Sequence, residues 1–159
     1  MLPEPISESS EIVVTPGERY ERGIALKNAG LHKSAIEQFE MAIVDPALTL
    51  KTHAQIGLCF KLAGRYEDAV GAFQKALSAA VGSSNETVQI LYVLGRTLEA
   101  LGRVAETLEA YRWIRRENPE YRDVASRIGQ LSSRRPVSVG KKGRAEESTR
   151  AGSVLKSWQ

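Results

Sequence analysis

A chain of 159 residues, with 22 Lys and Arg against 19 Asp and Glu and one cysteine, has the length of a single compact domain plus loose ends. The lone Cys59 excludes an intramolecular disulfide, and no apolar stretch is long enough to cross a bilayer as a helix. No basic leader precedes an apolar run, so the expected location is cytoplasmic.

Residues 1–15 hold Pro3, Pro5 and three glutamates, and read as a flexible N-terminal segment. Thr15-Pro16-Gly17-Glu18 then reads as an N-cap, a proline at the first helical position and a capping-box glutamate. Leu26 and Ala29 continue that helix at helical spacing, Gly30 stops it, and Ala35, Phe39 and Ala42 mark a second helix that ends before Asp45-Pro46. The same order returns with Ile56, Phe60 and Ala63, then Gly64, then Ala69, Phe73 and Ala76. After a loop near Val81-Gly82, Ser83-Ser84-Asn85-Glu86 opens a third round, with Leu91, Leu94, Leu98 and Leu101, then Gly102, then Thr107, Tyr111 and Ile114. Asn118-Pro119 closes it. Tyr121, Val124, Ala125, Ile128 and Leu131 predict a seventh helix over 120–131 that covers the last apolar face.

The strongest signal is a glycine pair, G-x₆-G, that occurs three times: Gly23 with Gly30, Gly57 with Gly64, and Gly95 with Gly102. The first two pairs are 34 residues apart and the second and third 38, a period that means stacked helix pairs. Gly30, Gly64 and Gly102 fall just past helix ends, where a left-handed cap favours glycine. Gly23, Gly57 and Gly95 fall inside helices, where glycine costs about 1 kcal/mol against alanine. Three such placements in one register predict a close approach by a partner helix. Ala35 and Ala69 serve the same purpose on the second helices, with Phe39, Phe73 and Tyr111 as wedges four residues on.

These residues resemble the tetratricopeptide repeat family, most clearly in G-L-H-K-S-A-I-E-Q-F-E-M-A-I and G-R-Y-E-D-A-V-G-A-F-Q-K-A-L. Repeat two matches the family pattern at both glycines, the alanines and the aromatic. Repeat one has Arg19 and Arg22 near its start in place of a large apolar residue, and repeat three has Thr107 and Ile114 in place of alanines. The resemblance implies an all-α fold, a right-handed superhelical α-solenoid of three helix pairs with a capping helix. The expected domain runs over 16–132, with repeats at about 16–47, 50–82 and 86–119 and the cap at 120–131. Its implied function is protein binding.

Charge is uneven along the chain. Residues 1–131 carry 15 basic and 17 acidic side chains, whereas 132–159 carry seven basic and two acidic. The segment 133–159, rich in Ser and Gly, reads as a disordered basic tail. Its clusters, Arg134-Arg135 and Lys141-Lys142-Gly143-Arg144, suit either a solvated end or contact with nucleic acid or an anionic membrane. Trp158 stands alone near its end.

Catalytic chemistry finds little footing. His32, in an expected turn, and His53, at an expected helix start, have no second ligand at metal spacing. No phosphate loop, dinucleotide fingerprint or nucleophile motif is present. Glu67 and Asp68, adjacent on a helix, point apart and favour its positive N-terminal end. Cys59, between Leu58 and Phe60, reads as a buried small hydrophobe, the alternative being a reactive thiol. No enzyme and no cofactor is expected.

The family resemblance further implies that the first helix of each pair lines a concave groove. At the family's groove offsets stand Tyr20, Ile24 and Lys27; Lys51, Ala54, Gln55, Leu58 and Lys61; and Gln89, Tyr92, Arg96 and Glu99. Each set shares a helix face, and the cations outnumber the one carboxylate, which suits an acidic peptide or helix with a few apolar anchors. The alternative is a set of solvated faces and helix packing. Family members that clamp acidic chaperone tails carry a Lys/Asn/Arg set where Tyr20, Ile24, Gln55, Gln89 and Val93 stand, so that ligand is disfavoured. Trp113 and Met41 lean outward on second helices, Trp113 packing under the cap or forming a convex spot. Arg112, Arg115 and Arg116 form a small basic patch that Glu109 and Glu117 are expected to offset. Exposed ends of repeat stacks self-associate, which leaves a homodimer open, and short three-repeat secretion chaperones are an alternative of similar length.

Overall fold

A computed structural model of the chain describes residues 12–79 and 82–134. They form α1 (Pro16–Asn28), α2 (His32–Ala42), a short 3₁₀ turn (Pro46–Leu48), α3 (Thr49–Leu62), α4 (Tyr66–Ser78), α5 (Ser84–Ala100), α6 (Val104–Glu117) and α7 (Val124–Ser133). Each helix packs on the next in the chain, and α1 also touches α3. The result is an α-solenoid of three helix pairs followed by a seventh helix, with no strand among the described residues.

Local chemistry sets where the helices begin and end. At α1, Thr15 Oγ1 accepts from Glu18 N at 3.2 Å, while the Glu18 carboxylate accepts from Thr15 N at 2.8 Å. Ser83 and Glu86 repeat this reciprocal capping at α5, at 3.2 and 2.9 Å. The first helix of every pair ends alike. Gly30, Gly64 and Gly102 hold φ of +80°, +78° and +73°. The next residue's N–H reaches back five positions, Leu31 to Leu26, Arg65 to Phe60 and Arg103 to Leu98, at 2.8 to 2.9 Å. This double cap satisfies carbonyls that a helix end otherwise leaves open, and its left-handed residue is strained for anything but glycine.

Inside the helices, the second set of glycines faces the wedge aromatics. A β-carbon on Gly23, Gly57 or Gly95 would stand 2.5, 2.6 and 2.4 Å from a ring carbon of Phe39, Phe73 and Tyr111 respectively. The close approach is therefore made by a ring laid on bare backbone. Phe39, Phe73 and Tyr111 are themselves almost wholly buried.

The larger core runs from α3 to α7 and centres on Phe73, Leu91, Leu94, Leu98, Leu108, Tyr111 and Ile114. A smaller cluster joins Ala35, Phe39, Ile56, Cys59 and Ala72. Helix α1 is the thinnest element, with Gly23 its one fully buried residue, as Arg19 and Arg22 at its outer turns dictate. Thr107 fits where the family has alanine because its hydroxyl donates to Arg103 O at 2.8 Å and needs no outside partner.

Three expectations need correction. The seventh helix begins at Val124, not at residue 120. Asn118 Oδ1 accepts from Glu120 N at 3.2 Å, and Arg122 takes a left-handed φ of 44°, so 118–123 is a turn. His32 is the first residue of α2 rather than part of the turn. None of Arg112, Arg115 and Arg116 pairs with Glu109 or Glu117 among the described residues, where Glu117 instead accepts from Ser84 Oγ at 3.4 Å. Trp113 is half-buried against the larger core. The expected N-terminal segment up to residue 11 and the basic tail from residue 135 lie outside the described residues.

Candidate functional site

Among the first helices, a polar side-chain contact joins α1 to α3. Lys27 Nζ, near the end of α1, donates to Gln55 Oε1 on α3 at 2.5 Å. Tyr20 is half-buried with its ring 5.6 Å from that of Phe39. Burial raises its phenol above the ordinary value, with the Gln55 amide working the other way. Ile24 packs partly against the smaller core, and Ala54 and Leu58 partly against the larger one. Lys51 and Gln89 stand exposed toward the beginnings of α3 and α5.

Lys61 and Arg96 carry the charge of the middle of this face. Lys61 is half-buried, and burial first, then the Arg96 charge, lowers its ammonium from the ordinary lysine value. No carboxylate among the described residues pairs with Lys61. Arg96 lies 3.9 Å from Glu99, a loose contact. A carboxylate near Lys61 and Arg96 would offset by its opposite charge both the burial penalty on Lys61 and the repulsion from Arg96.

Toward α7 the face is already neutralised. Glu99 accepts from Tyr111 Oη at 2.9 Å and takes Arg127 Nη1 on both oxygens at 3.1 Å. Burial, with the Glu99 charge adding to it, pushes the Tyr111 phenol far up. Arg127 also binds Asp123 at 2.7 Å. Burial pushes the Asp123 carboxyl up, but Tyr92 and Arg127 outweigh it and hold the group below the usual aspartate value.

Tyr92 belongs to this seam and not to an open groove. It is only 9% exposed, its hydroxyl donates to Asp123 Oδ1 at 2.9 Å, and its ring lies 6.3 Å from Tyr111 and 5.7 Å from Tyr121. The Arg122 guanidinium sits over it at 4.8 Å. The structure thus joins Lys27 to Gln55, takes Tyr92 out of reach and commits Glu99 to Tyr111 and Arg127. Sequence reasoning missed the Glu99–Arg127–Asp123 network. The i, i+4 spacing of Asp123 and Arg127 was its visible trace.

The remaining reactive groups are occupied by structure. Cys59 is fully buried, and burial raises its thiol, which disfavours the nucleophilic thiolate. Glu67 and Asp68, in the first turn of α4, pair with Arg103 and Arg65 at 3.0 and 2.8 Å. Among the described residues, no three His, Cys, Asp or Glu side chains gather as metal ligands, and no helix is long and apolar enough to cross a membrane.

No family model and no curated protein matches the chain. Solved structures do. A crystal structure of MamA superposes with a TM-score of 0.66 at 18% identity, covering 93% of this chain and 81% of that one. A second crystal structure of MamA protein gives 0.62 at 18% identity, covering 90% and 70%. At that identity the likeness shows the fold alone, an α-solenoid stack of helix pairs.

Proposed function

We propose that the chain is a non-catalytic interaction scaffold, with three tetratricopeptide repeats and a cap over 16–132, that holds an acidic peptide or helix on its first-helix face. One observation carries this reading: Lys27, Lys61 and Arg96 place one cation on each first helix, and no carboxylate among the described residues pairs with Lys61 or Lys27. Tyr20, Ile24 and Leu58, partly exposed beside them, supply apolar anchors, and Gln55 can donate from its amide nitrogen. Lys51 and Gln89 extend the face toward the helix starts. Such a segment is recognised through main-chain polar groups and a few pockets, with an affinity on the order of micromolar for a surface this small. The reading suits a cytoplasmic adaptor.

The test is a selection of peptides from a random library on the full chain, followed by anisotropy titration of the winners. Acidic peptides with one or two apolar residues are expected, weakened at least tenfold by Lys61→Glu/Arg96→Glu and little changed by truncation after Arg134. Winners that bind the charge-reversed chain equally well would sink the proposal. Winners lost only with the tail, and released steeply by salt, would move the function to residues 135–159.

A further inference from the structure

The first-helix face is cationic at one end and self-neutralised at the other. Glu99 and Asp123 hold Arg127 at the α5–α7 end, whereas Lys27 donates to the neutral Gln55 and no carboxylate among the described residues pairs with Lys61. Arg96, on α5, has only a loose 3.9 Å contact with Glu99, which Arg127 already holds. Directly ahead of α1 the chain carries Glu4, Glu8 and Glu11 and, over residues 1–14, no lysine or arginine. We propose that this acidic N-terminal segment is an intramolecular ligand of the Lys27–Lys61–Arg96 row, and that it competes with an outside acidic partner. The inference rests on the cationic-face reading above.

Length allows it. Lys27 lies twelve residues beyond Thr15, roughly 18 Å along the helix. Neighbouring helices add about 8–10 Å sideways per step, so Lys61 is roughly 20 Å and Arg96 roughly 27 Å from Thr15. An extended chain spans about 3.3–3.6 Å per residue. Glu8 therefore reaches about 24 Å and Glu4 about 38 Å from Thr15, enough for Lys61 and Arg96 in turn. Glu11, within about 14 Å, stays near the start of α1.

Tethering makes weak contacts count. A short tether gives an effective concentration on the order of millimolar, so a segment whose free affinity is also about millimolar covers the face roughly half the time. An outside acidic peptide then binds about twofold more weakly than it would to an uncovered face. Pro5 and Ile6, between Glu4 and Glu8, supply apolar groups for the partly exposed Leu58 and Tyr20.

The test uses the full chain with a nitroxide on Ser7→Cys, Cys59 being fully buried with a raised thiol and so poorly placed to take the label. Amide signals are read on nitrogen-15-labelled protein. Broadening is expected at Lys27, Gln55 and Lys61 when label and isotope share a chain, and it should vanish in Glu4→Gln/Glu8→Gln/Glu11→Gln and in about 0.5 M salt, where the screening length is only a few ångströms. The triple variant should also bind the selected acidic peptide at least twofold more tightly. Broadening confined to the first turn of α1, or seen only when label and isotope are on different chains, overturns the proposal. A synthetic peptide of residues 1–11 is then added to the triple variant. If it shifts Lys27 and Lys61 although the tethered segment does not, the cationic face stands and this inference alone fails. If neither perturbs them, both fail.

Discussion

Gly57 lies against the ring of Phe73, so that a β-carbon at Gly57 would stand 2.6 Å from Phe73 Cε1. The same pairing joins Gly23 to Phe39 and Gly95 to Tyr111, each sixteen residues apart. It locks the first helix of a pair onto the second and makes the repeat period a packing rule. Alanine within a helix normally gains about 1 kcal/mol over glycine. At Gly57 the added methyl must displace a buried ring, an overpacking cost of about 1–3 kcal/mol. Gly57→Ala is therefore expected to destabilise by about 1 kcal/mol net, whereas Gly71→Ala, with nothing within 4 Å of its β-carbon, should stabilise by about 0.5–1 kcal/mol. Urea unfolding of the two variants reads the opposite signs directly.

The hydroxyl of Tyr92 tests whether the α5–α7 seam is structural. Tyr92→Phe keeps the tilted and edge-on ring contacts with Tyr111 and Tyr121 but removes the bond to the Asp123 carboxylate. A hydrogen bond to a charged group contributes about 1.5–3 kcal/mol, and this partner's exposure places the loss near the lower end. Amide exchange in α7 should quicken while affinity for an acidic peptide stays within twofold. A large loss of affinity with unchanged exchange would return Tyr92 to the binding face.

Acid should loosen the same seam. Asp123 titrates below its unfolded value in the folded chain. Its contribution is present above the unfolded aspartate pKa and is lost as pH falls through the lower folded one. Glu18 and Glu86, held low first by the backbone N–H groups of Thr15 and Ser83, act with the same sign. Stability is thus expected to fall between about pH 5 and pH 2, and less steeply in Asp123→Asn. An identical acid limb in that variant would contradict the assignment.

Thr52 is fully buried in α3, and its hydroxyl has no hydrogen-bond partner among the described residues. Valine keeps the shape and removes the unpaired group. Thr52→Val is expected to raise stability by about 1 kcal/mol, measured by thermal unfolding, and a loss would reveal a partner for the hydroxyl.

Glycine placement made the helix pairs legible because two unrelated demands, a left-handed stop and a ring-sized gap, both admit only glycine. The cap at Thr15 was equally plain, since a capping box is local. The start of α7 was not: an Asn118 side-chain turn and a left-handed Arg122 override the apolar periodicity that begins at Tyr121. Helix register sufficed to set Lys27 and Gln55 on facing sides of α1 and α3, where they meet. The candidate site was hidden where long-range pairing decides. Tyr92 and Glu99 share the register of open-face residues, yet α7 brings Asp123 and Arg127 down on them.

Whether the first-helix face holds a ligand is read by mapping where a selected acidic peptide binds. Amide shift perturbations on the isotope-labelled full chain should cluster at residues 20–27, 54–61 and Arg96, and should collapse in Lys61→Glu/Arg96→Glu. Perturbations centred instead on Arg112, Arg115 and Arg116 of α6, or on residues beyond Arg134, would contradict a ligand on the first-helix face.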